Sequence, residues 1–174
     1  MIEKVYFLVY YSLLITSIML FSIAFFSSGS VMLNTSITGY VLTIISLLLM
    51  MTFSMSSIYK DSLSPLQVIF TLGPFFFLFF LIAWYLYFLI TFKNRILDET
   101  ISPSFYTFQN ISILLMIVQL LLFTYGTDTK TGNLSKINTS FIYLLSIINL
   151  FILYTIRHIL VYFVTDGFSI MKRK

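Results

Sequence analysis

Charged side chains fall at only a few places along the chain, and the stretches between them are almost wholly apolar. No charge occurs from Val5 to Tyr59, from Ser62 to Phe92, from Thr100 to Thr127 or from Ile137 to Ile156. A helix rises about 1.5 Å per residue, so crossing a hydrocarbon layer of ~30 Å takes about 20 residues. The first stretch is more than twice that length and must fold back on itself. Its polar run Ser27, Ser28, Gly29, Ser30, followed by Asn34, Thr35 and Ser36, carries the turn residues for that reversal. The pattern predicts an all-α integral membrane protein with five transmembrane helices, over residues 5–26, 37–59, 65–92, 106–125 and 138–164, in a single transmembrane domain covering residues 1–174.

The third span contains Gly73 and Pro74. Proline has no amide hydrogen to donate, which frees the carbonyl of Phe70, so a break or a kink is expected there. Neighbouring helices or hydroxyls re-satisfy such a group inside a membrane. In the fifth span Arg157 and His158 interrupt the apolar run. Either Arg157 extends along the helix to reach the headgroups, or the span ends there and residues 159–166 form an interfacial tail helix stopped at Gly167.

Composition agrees with a lipid solvent. Apolar residues make up 59% of the chain and charged residues 9%, against about 25% charged in soluble domains. The net charge of +4 does not point to nucleic acid, because the basic residues are scattered apart from the cluster Lys172, Arg173, Lys174. Basic residues flanking spans are the ordinary neighbours of anionic headgroups. With five spans, Lys4, Lys60, Lys130 and Lys136 share one side, while Lys93, Arg95, Lys172, Arg173 and Lys174 share the other. The counts are close, and the clustering of the last three turns the C-terminus inward.

The candidate chemistry is sparse. The chain has one His and no Cys, and its carboxylates are Glu3, Asp61, Asp98, Glu99, Asp128 and Asp166, none of them deep in an expected span. Neither the paired acids or histidines of membrane hydrolases nor a metal-ligand spacing is present, so the expectation is no enzyme, no metal, no cofactor and no small-molecule substrate. Gln119 and Asn149 lie near the middle of the fourth and fifth spans. An amide left unpaired in hydrocarbon is costly, so both are read as polar contacts between packed helices. Arg157 and His158, with Lys172, Arg173 and Lys174, are read as interfacial anchors, the first pair carrying the alternative of a gating, proton or ligand role.

The last third of the chain carries Asn110-Ile-Ser-Ile-Leu-Leu with Gln119 following, then Leu134-Ser-Lys-Ile-Asn-Thr-Ser, Tyr143-Leu-Leu, Ile148-Asn149-Leu150 and the closing Tyr162-Phe-Val-Thr-Asp-Gly-Phe. This region resembles uncharacterised multi-span membrane proteins of large DNA viruses of algae and protists. The resemblance implies a structural protein of the virion's internal membrane, or a membrane-associated minor capsid component, whose partners are the lipid bilayer and other membrane or capsid proteins. Two alternatives stand beside it. An accessory subunit of an organellar respiratory complex, in the mitochondrial inner membrane, fits the abundance of Phe, Ile and Tyr without Cys. A small channel or transporter has the Gly73–Pro74 interruption as its support.

Overall fold

The computed structural model describes residues 2–61, 64–97, 102–128 and 134–163. Its elements run α1 Ile2–Phe25, α2 Gly29–Asp61, α3 Pro65–Thr91, the short α4 Lys93–Leu97, α5 Pro103–Gly126 and α6 Lys136–His158, which a π-helical turn, Ile159–Phe163, prolongs. Helices α1, α2, α3, α5 and α6 are each long and apolar enough to cross a membrane. The chain is an all-α membrane protein with five such helices.

Serine sets three of the helix starts. Ser64, Ser102 and Ser135 are the N-caps of α3, α5 and α6, each side chain accepting from a backbone N–H of the first turn. Proline follows the cap in α3 and α5, where its missing donor costs nothing because first-turn amides have no partner within the helix. At α3 the cap is reciprocal: Gln67 reaches back to the Ser64 amide, the arrangement that satisfies two first-turn donors at once.

The structure shortens the first expected turn. Only residues 26–28 lie between α1 and α2, and α2 starts at Gly29, whose φ of 57° closes the reversal. Asn34, Thr35 and Ser36, expected in the turn, are helical. Thr35 donates to the Val31 carbonyl at 2.7 Å and Thr38 to the Asn34 carbonyl at 2.8 Å, so hydroxyls satisfied by their own helix do not terminate it. Helix α5 also starts earlier than expected, at Pro103 rather than at residue 106. Helix α3 is continuous from Pro65 to Thr91 with Pro74 buried inside it, so no outright break occurs at Gly73 and Pro74. Gly73 lies directly against the hydroxyl of Tyr143 on α6, where a Cβ would collide.

The long helices close a ring in the order α1, α2, α3, α6, α5 and back to α1, each packing on two neighbours. Residues at the α1 start, the α2 end, the α3 start, the α5 end and the α6 start share one end of the ring, called here the N-terminal end. The α4 turn and the last turn of α6 mark the opposite, basic end. Lipid tails are as apolar as leucine, so close packing rather than water exclusion holds such helices together. Gly39 of α2 allows close approach: a Cβ there would lie 3.0 Å from the Phe21 ring of α1, and Phe21 packs edge-on against Tyr40 at 4.7 Å between centroids. Leu8, Ile69, Phe80 and Phe151 face outward and are exposed, as a lipid-facing belt requires.

Candidate functional site: the polar interior and the basic end

The inward faces carry the polar groups. On α5 the buried residues Gln109, Ser112, Met116 and Gln119 recur every three or four positions, and on α6 so do Thr139, Ile142, Ser146, Asn149 and Leu153. That spacing is one helical stripe. It brings the two helices together through side chains. Ser112 Oγ donates to Asn149 Oδ1 at 2.6 Å. Gln119 Nε2 donates to Ser146 Oγ at 2.7 Å and to the Ile142 carbonyl at 3.3 Å. Asn138 Nδ2 donates to the Leu122 carbonyl at 3.3 Å near the N-terminal end.

Gln119 and Asn149 are thus both buried, and each is tied to a serine of the neighbouring helix rather than to the other. The serine partners were not singled out from the sequence, because hydroxyls are common throughout this chain. Gln109 was missed as well; it is buried and its Nε2 lies 3.8 Å from the Met32 sulfur of α2. The signal that would have found all of these is the three-and-four spacing of polar residues, which in a membrane bundle marks the face turned away from lipid.

Around the Ser112–Asn149 pair the ring is filled by Tyr40 of α2 and Tyr85 of α3, with Leu81, Met116 and Leu153, and the gap between them holds no water-sized space. The two tyrosine rings meet edge-on at 5.1 Å. Both hydroxyls are buried, and neither makes a hydrogen bond of good geometry. Asn149 Nδ2, Gln119 Oε1 and Gln109 Oε1 are likewise buried without a partner atom. An amide has two donors and an acceptor oxygen with two lone pairs, more than these neighbours serve. The centre is neutral, packed and polar.

The basic end is built differently. Arg157 and His158 occupy the last turn of α6, are exposed, and line a cavity of about 150 Å³ with Tyr154 and Val161. The helix does not stop at them but passes into the π-helical turn. Arg95 of α4 reaches across to this turn, its Nη1 donating to the Leu160 carbonyl at 3.4 Å while its guanidinium lies 5.5 Å from the centroid of the Phe92 ring. Cations near a helix C-terminus meet the negative end of its dipole. Lys172, Arg173 and Lys174 lie outside the described residues, as do residues 164–166 of the tail helix expected over 159–166, whose described part, 159–163, continues α6.

Among the described residues no three His, Asp or Glu side chains gather where a metal could be held. No family model, curated protein or solved structure matches the chain.

Proposed function

We propose that this chain is a structural multi-span membrane protein, not an enzyme, that works by packing into a larger assembly. The observation that supports the reading is the use of its interior: Ser112 bonds to Asn149 and Gln119 to Ser146 between α5 and α6, and the Ser112–Asn149 pair borders a centre with no water-sized space. A substrate path or an ion pore needs polar groups left facing a cavity. Here the principal polar side chains serve helix contacts, each worth about 0.6 kcal/mol on average.

The resemblance of the last third of the chain to membrane proteins of large DNA viruses supports placing it in the internal membrane of a virion. Its partners there are the bilayer, other membrane proteins and the capsid above. The exposed apolar belt serves lipid or a neighbouring helix equally well, and the cluster Lys172, Arg173, Lys174 supplies a basic contact for headgroups or an acidic protein face. Each such base contributes about 1 kcal/mol at an anionic surface.

Purification from the native source in mild detergent tests the proposal. The chain is expected to travel with a virion membrane fraction in fixed ratio to capsid proteins. Migration with a respiratory complex, alone, or with turnover of a substrate overturns it. Replacing Lys172, Arg173 and Lys174 with Gln is expected to lower incorporation while membrane insertion persists; unchanged incorporation removes the tail from the contact.

A further inference from the structure

Helices α3 and α6 run side by side in the same direction, and toward the basic end they part to leave an apolar groove of about 330 Å³. Trp84 and Phe88 of α3 form one wall, and Leu150, Phe151 and Tyr154 of α6 form the other. The volume lies within the ~300–1,000 Å³ typical of small-molecule sites. Leu150, Tyr154 and Arg157 stand at helical spacing along one stripe of α6, so the groove climbs about 10 Å toward the membrane surface and ends at the Arg157 guanidinium. Tyr154 and Arg157 also line the smaller cavity beside His158, so the apolar groove adjoins a second cavity that carries the basic side chains.

The charge at that mouth lacks a protein counter-ion among the described residues. Arg157 lies within the apolar span of residues 136–161. Asp128 lies at the N-terminal end of the ring, as do the α1 and α2 backbone positions of Glu3 and Asp61. A guanidinium at the end of an apolar groove favours an anion beside it, and it is suited to bind phosphate through paired N–H donors. An apolar slot as deep as a chain of methylenes, capped by a cation at headgroup level, fits one molecular shape.

We propose that the α3–α6 groove is a binding site for an anionic phospholipid, with one acyl chain between Trp84, Phe88, Leu150 and Phe151 and the phosphate on Arg157 beside His158. The site is independent of which assembly holds the protein. It adds a selective lipid contact to a surface otherwise in contact with bulk lipid, and makes the basic end of the protein sensitive to the charge of its leaflet.

Trp84 is the single tryptophan of the chain, so its fluorescence reports on this groove alone. The full chain is reconstituted in phosphatidylcholine bilayers, and phosphatidylglycerol or phosphatidylcholine with brominated acyl chains is titrated in as quencher. The expected result is a preference of about fivefold for the phosphatidylglycerol quencher, the factor for one base at an anionic surface, decreasing as salt is raised. Arg157→Gln is expected to abolish the preference while Arg157→Lys keeps most of it. Lys136→Gln, which removes a base at the opposite end of α6, is expected to leave it intact. Equal quenching by the two lipids in the unaltered protein overturns the proposal. A preference that survives Arg157→Gln overturns it too, since the selecting charge then lies elsewhere.

Discussion

In the α1–α2 hairpin, Ser12, Thr16, Ser22, Thr38 and Thr43 each donate to the carbonyl four residues back in their own helix. In the α5–α6 hairpin, Ser112, Gln119 and Asn138 instead bond across to the partner helix. Both are antiparallel pairs of apolar helices with hydroxyls throughout, so hydroxyl content does not separate them. The amides do. A hydroxyl has one hydrogen to place and finds an acceptor one turn back. The amide of Asn or Gln has two hydrogens to place, and here they go to the partner helix, from Gln119 to Ser146 and the Ile142 carbonyl and from Asn138 to the Leu122 carbonyl. Tyr6 obeys the same logic in α1: its hydroxyl is too far from its own backbone to turn back, and it meets the Leu49 carbonyl and Thr52 of α2. The Ser and Thr hydroxyls of α1 and α2 named above therefore add no bond between the two helices, where Tyr6 supplies one, while the buried amides of α5 and α6 bond across their interface.

Glycine substitutions should break the comparison most sharply. A Cβ on Gly126 at the end of α5 would overlap the Asn138 side-chain amide and stand 3.0 Å from the Asn138 Cβ, so rotating the amide away does not relieve it. We expect Gly126→Ala to cost about 2–3 kcal/mol, the upper part of the range for overpacking, and to remove the Asn138–Leu122 bond. Gly39→Ala meets only the edge of the Phe21 ring at 3.0–3.3 Å, and the helix gains about 1 kcal/mol from alanine over glycine. A net change near zero is expected. Thermal unfolding in detergent, followed through Trp84, checks both; equal losses would mean that the two hairpins are locked in the same way.

How much of this was legible beforehand follows from the same distinction. Four charge-free stretches marked all five spans, because a charge in hydrocarbon is expensive at any helix orientation, and the polar run from Ser27 divides the first into two. The start of α2 was misplaced by eight residues, because Asn34, Thr35 and Ser36 read as turn formers by composition, while the structure lets the Thr35 hydroxyl bond within the helix. Gln119 and Asn149 stood out as amides in apolar runs, yet Ser112 and Ser146, their partners, looked like every other serine. Tyr40 and Tyr85 were invisible as a pair, since only the closing of the ring brings α2 and α3 around the same centre. The lipid groove was hidden for a like reason: α3 and α6 are distant in the chain, and no local pattern announces that Trp84 will face Phe151.

A double-mutant cycle sharpens the claim that directed bonds couple α5 to α6. Gln119→Leu and Ser146→Ala each remove one side of the 2.7 Å contact. Their combined effect on the unfolding midpoint is expected to fall short of additivity by about 0.6 kcal/mol, and by no more than ~1.7, the range measured for bonds between membrane helices. Gln119 Nε2 keeps the Ile142 carbonyl as a second acceptor when Ser146 is truncated, which places the expected coupling at the low end. A coupling indistinguishable from zero would leave packing, not the Gln119–Ser146 bond, as what joins α5 to α6 at this level.

The smallest effect is expected where the comparison says a hydroxyl is idle. Thr38 is exposed on α2, and its Oγ1 serves only the Asn34 carbonyl of its own helix at 2.8 Å. Thr38→Val keeps the branched shape and deletes that donor. The Asn34 carbonyl retains its helical amide bond and loses only a second, shared one. The midpoint should then shift by less than ~0.5 kcal/mol, as for surface substitutions that disturb no contact. A loss as large as that of Gln119→Leu would show that the hydroxyls of α2 carry bonding beyond their own helix, and the line between the two hairpins would then have to be drawn by something other than the amide.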